Sequence, residues 1–384
     1  MRILQFITPS GFYGAERWVL ALANNIDQDN IICDLAVTQE SDKQDLTVAE
    51  LYPREAGEVH YLSMSGRFDI QVVDSLVKVI KDRQIEIVHT HGYKSDILGL
   101  IAARRAGVKC LSTPHGFSGD VGFKLKAFIR MGTFMLRYFD AVAPLSEELV
   151  DNMADFKVPA RKVHFIRNGV DLNEIELSRD MGSEAPPSVV ADDRVVGFVG
   201  QLIPRKGISE LLEVFDGLHR DDPALKLQIL GDGRQRAELE AQAAAMPSAD
   251  AIDFLGFRPD RLELVSRFSL FVMTSTLEGI PRCLMEAMAL GVPVAAYDIP
   301  GVDQLIEHEV TGLLAPLGDQ RALKDCCRRL LEDPELAGKL VKAAREKIES
   351  TYSSRRMASE YQSLFAHLTG RNSVASVRSA DGAG

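Results

Sequence analysis

Short apolar runs recur along the chain, separated by longer stretches whose apolar positions follow helical spacing. In the first half the runs span Arg2 to Thr8, Ile31 to Thr38, Ile85 to Thr90, Val108 to Thr113, Ala141 to Leu145 and Val163 to Arg167. Strand and helix alternating in this way predict a parallel sheet covered by helices. A stretch rich in Ser, Gly and Pro follows, from Leu177 to Ser188, and suits a surface linker. The pattern then restarts with Arg194 to Gly200, Leu225 to Gly231, Ile252 to Leu255, Leu270 to Thr274 and Val292 to Tyr297, which predicts a second parallel sheet. The expected divisions are a first domain over residues 1–175, a linker over 176–192 and a second domain over 193–350. From Arg371 to Gly384 the chain is small, polar and aperiodic, and a disordered tail is expected over 371–384.

Composition narrows the picture. At 384 residues the chain exceeds what one core ordinarily supports, and 46% hydrophobic residues are enough to bury two. A net charge of -11 argues against nucleic acid as a partner, because phosphate backbones attract clustered Lys and Arg. Five cysteines, Cys33, Cys110, Cys283, Cys326 and Cys327, show neither paired metal spacing nor an even disulfide framework, which fits a reducing cytoplasm. The amino terminus reads as a first buried strand rather than a signal peptide. No run reaches the roughly 18 uncharged apolar residues of a membrane span, so any membrane contact would be peripheral.

Candidate chemistry collects where strands end. Glu278 and Glu286 flank Pro281 in a strand-to-helix unit after the run Leu270 to Thr274, with Pro281 placed at the first helical turn. Ligands of open α/β sheets bind at the carboxyl ends of strands, and helix N-termini offer free N–H groups to phosphate. Two carboxylates beside such an anion site would grip sugar-nucleotide hydroxyls. The loop Gly200 to Gly207 places Arg205 and Lys206 just before a helix, a diphosphate cradle or else a solvated basic pair. Leu230-Gly-Asp-Gly233 reads as a tight turn that needs glycine. Glycines in Pro9 to Glu16 would let backbone approach a ligand closely. His115, in Thr113-Pro-His-Gly116, falls at the carboxyl edge of the first sheet, and a lone histidine there is either structural or chemical. His89 and His91 end the previous strand, and alternation along it is read as sending them to opposite faces, so no metal site is assigned. The segment Phe123 to Tyr138 mixes Lys124, Lys126, Arg130 and Arg137 with large apolar groups. It reads as a surface for anionic membrane or a lipid-linked substrate, or as an ordinary helix packed on the sheet.

Taken together these motifs resemble the retaining glycosyltransferases of family 4, over nearly the whole chain. Glu278-Gly-Ile-Pro281 with Glu286-Ala-Met-Ala289 and Gly291-Val-Pro293 carries the likeness most specifically, supported by Gly200 to Gly207, Asn168-Gly-Val-Asp171 and Gly14-Ala-Glu16. The resemblance implies the GT-B fold, two Rossmann-like α/β domains facing across a cleft, with residues 351–370 crossing back to the first domain as a helix. By matching position, Lys206 would contact the donor diphosphate and Glu286 the ribose hydroxyls. Glu278 with Gly279 and Ile280 would hold the transferred sugar and phosphate, His115 would sit beside the donor sugar, and Gly14 near the diphosphate. The family commonly has Arg at Gln201, a charge that Arg205 would supply here, and Gly in place of Tyr13.

The expected activity is transfer of a sugar from a UDP- or GDP-sugar to a hydroxyl of a glycan or lipid-linked acceptor in envelope or exopolysaccharide synthesis. Catalysis would rest on electrostatic stabilisation of the departing nucleotide, with His115 and Glu278 as catalytic residues and with neither cofactor nor metal. A hydrolase would place carboxylates on either side of the scissile bond, which Glu278 and Glu286 on one strand-helix unit do not suit. The alternatives are a sugar-nucleotide epimerase of the same architecture and a noncatalytic glycan-binding relative. The expected location is the cytoplasm, at the inner face of the cytoplasmic membrane if the basic segment binds lipid.

Overall fold

The computed structural model describes residues 1–9, 11–41, 44–66, 69–116, 123–182 and 194–371. The chain divides into two compact units, Met1–Arg167 with Arg355–Gly384, and Asn168–Ser354. The first contains strands β1 (Arg2–Ile7), β2 (Ile32–Gln39), β3 (Val59–Ser63), β4 (Ile87–His91), β5 (Lys109–Ser112) and β6 (Ala141–Val142). The second contains β7 (Arg194–Val199), β8 (Leu225–Leu230), β9 (Ile252–Gly256), β10 (Leu270–Met273), β11 (Val294–Asp298) and β12 (Leu313–Pro316). Each sheet is parallel, in the orders β3-β2-β1-β4-β5-β6 and β12-β11-β10-β7-β8-β9. Both follow the doubly wound order in which strand direction of progress reverses beside the first strand, between β1 and β4 and between β7 and β10.

Period-two alternation sorts the first unit into two layers. Ile3 and Ile7 of β1 and Ile87 of β4 face a core shared with Trp18 and Leu22, and with Met357, Tyr361 and Phe365 of the returning helix Ser354–Thr369. Leu4, Phe6 and Val88 face the opposite core, with Leu76 and Leu100 of the helices Ile70–Asp82 and Tyr93–Ala106. The second unit has one continuous core around its sheet.

β3 and β12, both at sheet edges, are not among the expected strands; β3 keeps only Leu62 fully buried and lacks the apolar run of an interior strand, and β12 is only 4 residues long, Leu313–Pro316. Val163 to Arg167 is not a strand. It bonds loosely beside the two-residue β6, through Val163 to Val142 and the Ile166 N–H to the Pro144 carbonyl. The domain boundary also differs from the expected 175/176. Residues 172–182 form a helix, Leu172–Gly182, and Val170 and Ile175 are buried in the second core, so the division falls before Asn168. Later, Pro334–Thr351 is one helix of the second unit, and the first unit resumes at Arg355 instead of 351. Val170 and Ser353 form a parallel bridge, so the two chain segments at this boundary run side by side. Residues 183–192 of the expected linker and 372–384 of the expected tail lie outside the described residues.

Candidate functional site

In the second unit the loops after β7 and β10, the neighbours at the switch point, are knitted together. The Arg205 carbonyl accepts from the Thr276 N–H at 2.8 Å, and the Lys206 carbonyl from the Thr274 hydroxyl at 3.1 Å. Gly207, with φ of 63°, permits this approach: a Cβ there would lie 2.2 Å from the Thr274 carbonyl. Gly231 behaves likewise, since its Cβ would fall 1.9 Å from the Gly200 carbonyl, so the Leu230 to Gly233 turn packs onto the Gly200 loop rather than merely turning.

This knitting delivers Arg205 and Lys206 to one carboxylate. Lys206 Nζ is bonded to Glu278 Oε1, and Arg205 donates to Glu278 Oε2 at 3.3 Å and to the Leu277 carbonyl at 2.9 Å. Lys206 and Glu278 side chains are 9% and 7% exposed, so this is a buried pair, whereas Arg205 reaches solvent. Gly279 and Ile280 follow, and the helix Arg282–Leu290 begins directly after Pro281, which is its N-cap rather than its first residue. A Cβ on Gly279 would meet nothing within 4 Å.

Glu286, on that helix, is enclosed by two arginines. Arg261 donates to both of its oxygens, at 2.6 and 3.3 Å, and Arg282 Nε to Oε1 at 2.8 Å. Burial opposes the Arg261 charge, but Glu286 outweighs it and the pKa rises. Glu174, from the helix Leu172–Gly182, approaches both guanidiniums at 3.7 Å. Arg282 Nη1 is buried with no partner among the described residues, a spare donor next to the carboxylate. Cys283 lies alongside, its thiol pushed by burial to about 12 and so kept protonated.

The first unit gathers its own candidate residues at the carboxyl ends of its strands. Gly14 opens the helix Gly14–Asn25, and Glu16 Oε2 accepts from the Tyr13 N–H at 3.0 Å, closing the first turn. A Cβ on Gly14 also meets nothing within 4 Å, so the protein's own packing does not require glycine there. His115 stands in the loop after β5, with its ring centroid 5.3 Å from that of Trp18. Although part of its surface is open, the apolar surroundings of the ring hold its pKa down to about 3, so it is neutral at physiological pH.

The expectation for His89 and His91 is corrected. Two residues apart on one strand, they point to the same face, and their ring centroids are 4.4 Å apart. Both join His115, Trp18 and Tyr361 in one cluster. Burial first, and then the neighbouring imidazoles (His115 for His89, His89 and His115 for His91), keep both well below the usual histidine range. No group of three or more His, Cys, Asp or Glu among the described residues is arranged to hold a metal ion. The expectations thus miss Arg261, Arg282 and Glu174 around Glu286, the contact of His91 with His115, and Gln5 and Tyr361 in the cluster behind it.

The helix Phe123–Met135 packs one face on the helix Tyr93–Ala106, where a Cβ on Gly132 would lie 2.7 Å from Tyr93 Cβ. Its other face exposes Arg130, Met131 and Phe134, continued by Tyr138, with the Arg137 guanidinium 4.3 Å over the Phe134 ring. The Lys124 and Lys126 side chains lie outside what the structure describes. No helix among the described residues is long and apolar enough to cross a membrane.

Two doubly wound parallel sheets, each carrying charged or imidazole side chains at its switch point, define the GT-B class. Comparisons agree. The family model for glycosyl transferases group 1 matches residues 184–347, and that for glycosyltransferase family 4 matches residues 12–174. Among curated proteins, the chain is 29% identical over 280 residues to the Escherichia coli UDP-Gal:alpha-D-GlcNAc-diphosphoundecaprenol alpha-1,3-galactosyltransferase, covering 70% of this chain and 72% of that one. It is 23% identical over 302 residues to the N-acetyl-alpha-D-glucosaminyl L-malate synthase of Bacillus anthracis, covering 78% and 79%. Anabaena HepE, solved with UDP and glucose, superposes with a TM-score of 0.78 at 21% identity, covering 96% of this chain and all of that one, a likeness of fold. The chain belongs to the family 4 glycosyltransferases of the GT-B fold.

Proposed function

We propose that this glycosyltransferase moves a sugar, with retention of anomeric configuration, from a uridine or guanosine diphosphate donor to a hydroxyl of a glycan or lipid-linked acceptor in cell-envelope polysaccharide synthesis. The observation that carries the donor reading is the convergence of Lys206 and Arg205 on Glu278 beside the N-terminus of the helix Arg282–Leu290. A departing nucleoside diphosphate gathers negative charge, and fixed cations beside free helix N–H groups stabilise it. Lys206, with Arg205, would hold that diphosphate, and Gly14 would let backbone approach it. Glu286, locked by its arginines, would accept from the ribose hydroxyls. Glu278 and the backbone of Gly279 and Ile280 would hold the transferred sugar and its phosphate, with His115 beside that sugar. The cations already present supply the charge otherwise drawn from a divalent ion, so turnover should survive a chelator. The acceptor class is supported by relatives such as the Escherichia coli galactosyltransferase, whose name specifies a diphosphoundecaprenol acceptor.

The test starts with thermal shift against UDP- and GDP-sugars, followed by turnover of the stabilising donor. Lys206→Ala and Glu286→Ala should each abolish turnover. Near-wild-type turnover in both would overturn the donor assignment, and conversion of the sugar nucleotide without acceptor would favour an epimerase. Absence of any shift across the panel would favour a noncatalytic glycan-binding protein.

A further inference from the structure

Of the three clustered histidines only His115 has a place in the donor reading, yet the hydrogen bonds behind it form an ordered chain. Gln5 on β1 pairs in register with His89 of the neighbouring β4 and so projects to the face that His89 shares with His91, two residues further on. Gln5 Nε2 donates to Cys33 Sγ at 3.5 Å, which turns Gln5 Oε1 towards His91 Nε2, 2.5 Å away. An amide oxygen only accepts, so His91 Nε2 carries the proton. A neutral imidazole has one N–H, so His91 Nδ1 is an acceptor. The partner of that nitrogen is His115 Nε2, at 3.2 Å, which must therefore donate. A separate set of bonds holds the loop backbone: His89 Nε2 to the Thr113 hydroxyl at 2.7 Å, and that hydroxyl to Tyr361 OH at 2.8 Å. Ring orientation and loop position are thus fixed by different residues.

We propose that Gln5 and His91 are positioning residues that hold His115 as its Nε2–H tautomer, making His115 Nδ1 an acceptor for a hydroxyl of the donor sugar. The tautomer half stands on the hydrogen bonds alone. The sugar half rests on the donor-site reading above. A histidine donating from one nitrogen leaves the other to accept, and the remote partner decides which.

Long-range proton–nitrogen correlation spectra of the full chain labelled with 15N-histidine read the tautomer directly, with His115→Gln assigning the signals. At neutral pH, His115 should be protonated at Nε2 and bare at Nδ1. Gln5→Leu and His91→Phe should lose this single pattern and give the mixture of an unconstrained imidazole. Gln5→Glu, whose carboxylate still accepts from His91 Nε2, should restore it, which a merely space-filling role for Gln5 would not require. A wild-type His115 protonated at Nδ1 overturns the chain whether or not the variants fold, and so does an unchanged pattern in folded His91→Phe. For the sugar half, UDP-glucose or GDP-mannose should shift the Nδ1 resonance beyond any change caused by UDP or GDP alone. Shifts no larger than those of the parent diphosphates overturn that half while the tautomer result stands. Failure of every nucleotide to bind would instead strike at the donor reading itself.

Discussion

Lys206→Met tests whether the Lys206–Glu278 pair is an integral part of the second unit or an incidental contact. The substitution keeps the apolar stem and removes the charge, leaving Glu278, 7% exposed, with Arg205 at 3.3 Å as its remaining cation. Removing one partner of a buried pair costs about 3–5 kcal/mol. Because Arg205 persists, the lower end applies, about 3 kcal/mol, or a fall of about 6–12 °C in the melting temperature of a unit of this size. Glu278→Gln strands Lys206 in the same way and should cost a similar amount. The double variant Lys206→Met/Glu278→Gln strands neither charge, and should lose only about 1–2 kcal/mol, well short of the sum of the single changes. Urea unfolding can separate the two units, because the single tryptophan, Trp18, belongs to the first. Its fluorescence should keep its midpoint in all three variants while a second transition, seen by circular dichroism, moves. All three should lack sugar transfer, so the double variant would be nearly stable and inactive, separating the structural from the chemical contribution. Additive single effects, or a cost below about 1 kcal/mol for Lys206→Met, would refute the reasoning.

Acid should destabilise the first unit. His89, His91 and His115 are held below the usual histidine pKa, so below about pH 6.5 the unfolded chain takes up protons that the native unit refuses, and stability falls with pH. Asp96, raised by burial to about 7, acts oppositely by holding a proton in the native state; the net slope should be on the order of 2 kcal/mol per pH unit between pH 6 and 4, read from the Trp18 urea midpoint, and rising stability on acidification would contradict it. Gly14→Ala should leave the melting temperature nearly unchanged while weakening donor binding by calorimetry, because its Cβ meets open space. Gly197→Ala should behave in reverse, its Cβ falling 1.9 Å from the Phe268 ring and costing about 1–3 kcal/mol. Anionic liposomes should sediment the protein weakly and in a salt-sensitive way, and the combined change of Lys124 and Lys126 to Glu should abolish this; unchanged sedimentation would leave the helix Phe123–Met135 as an ordinary packed helix.

Interior strands were legible because a strand buried on both faces is largely apolar. The edge strand Val59–Ser63, with only Leu62 buried, escapes that requirement, and with it detection. The same distinction separates the site residues that motifs reveal from those they hide. Lys206, Glu278 and His115 sit in loops at strand ends, where the chain locally announces a site. Arg261 and Gln5 act on residues far along the sequence, Glu286 and His91, and nothing in their own neighbourhoods marks them. Arg282 and the histidine pair were different, since period alone contained the answer. His89 and His91 differ by two along a strand, so a shared face is the necessary reading. Arg282 precedes Glu286 by four on a helix, so a buried Glu286 brings Arg282 to the same side, where its charge is used and not merely solvated. A charged residue one helical turn from an assigned ligand-binding carboxylate is therefore better read as that carboxylate's partner than as surface, and the 12% exposure of the Arg282 side chain bears this out.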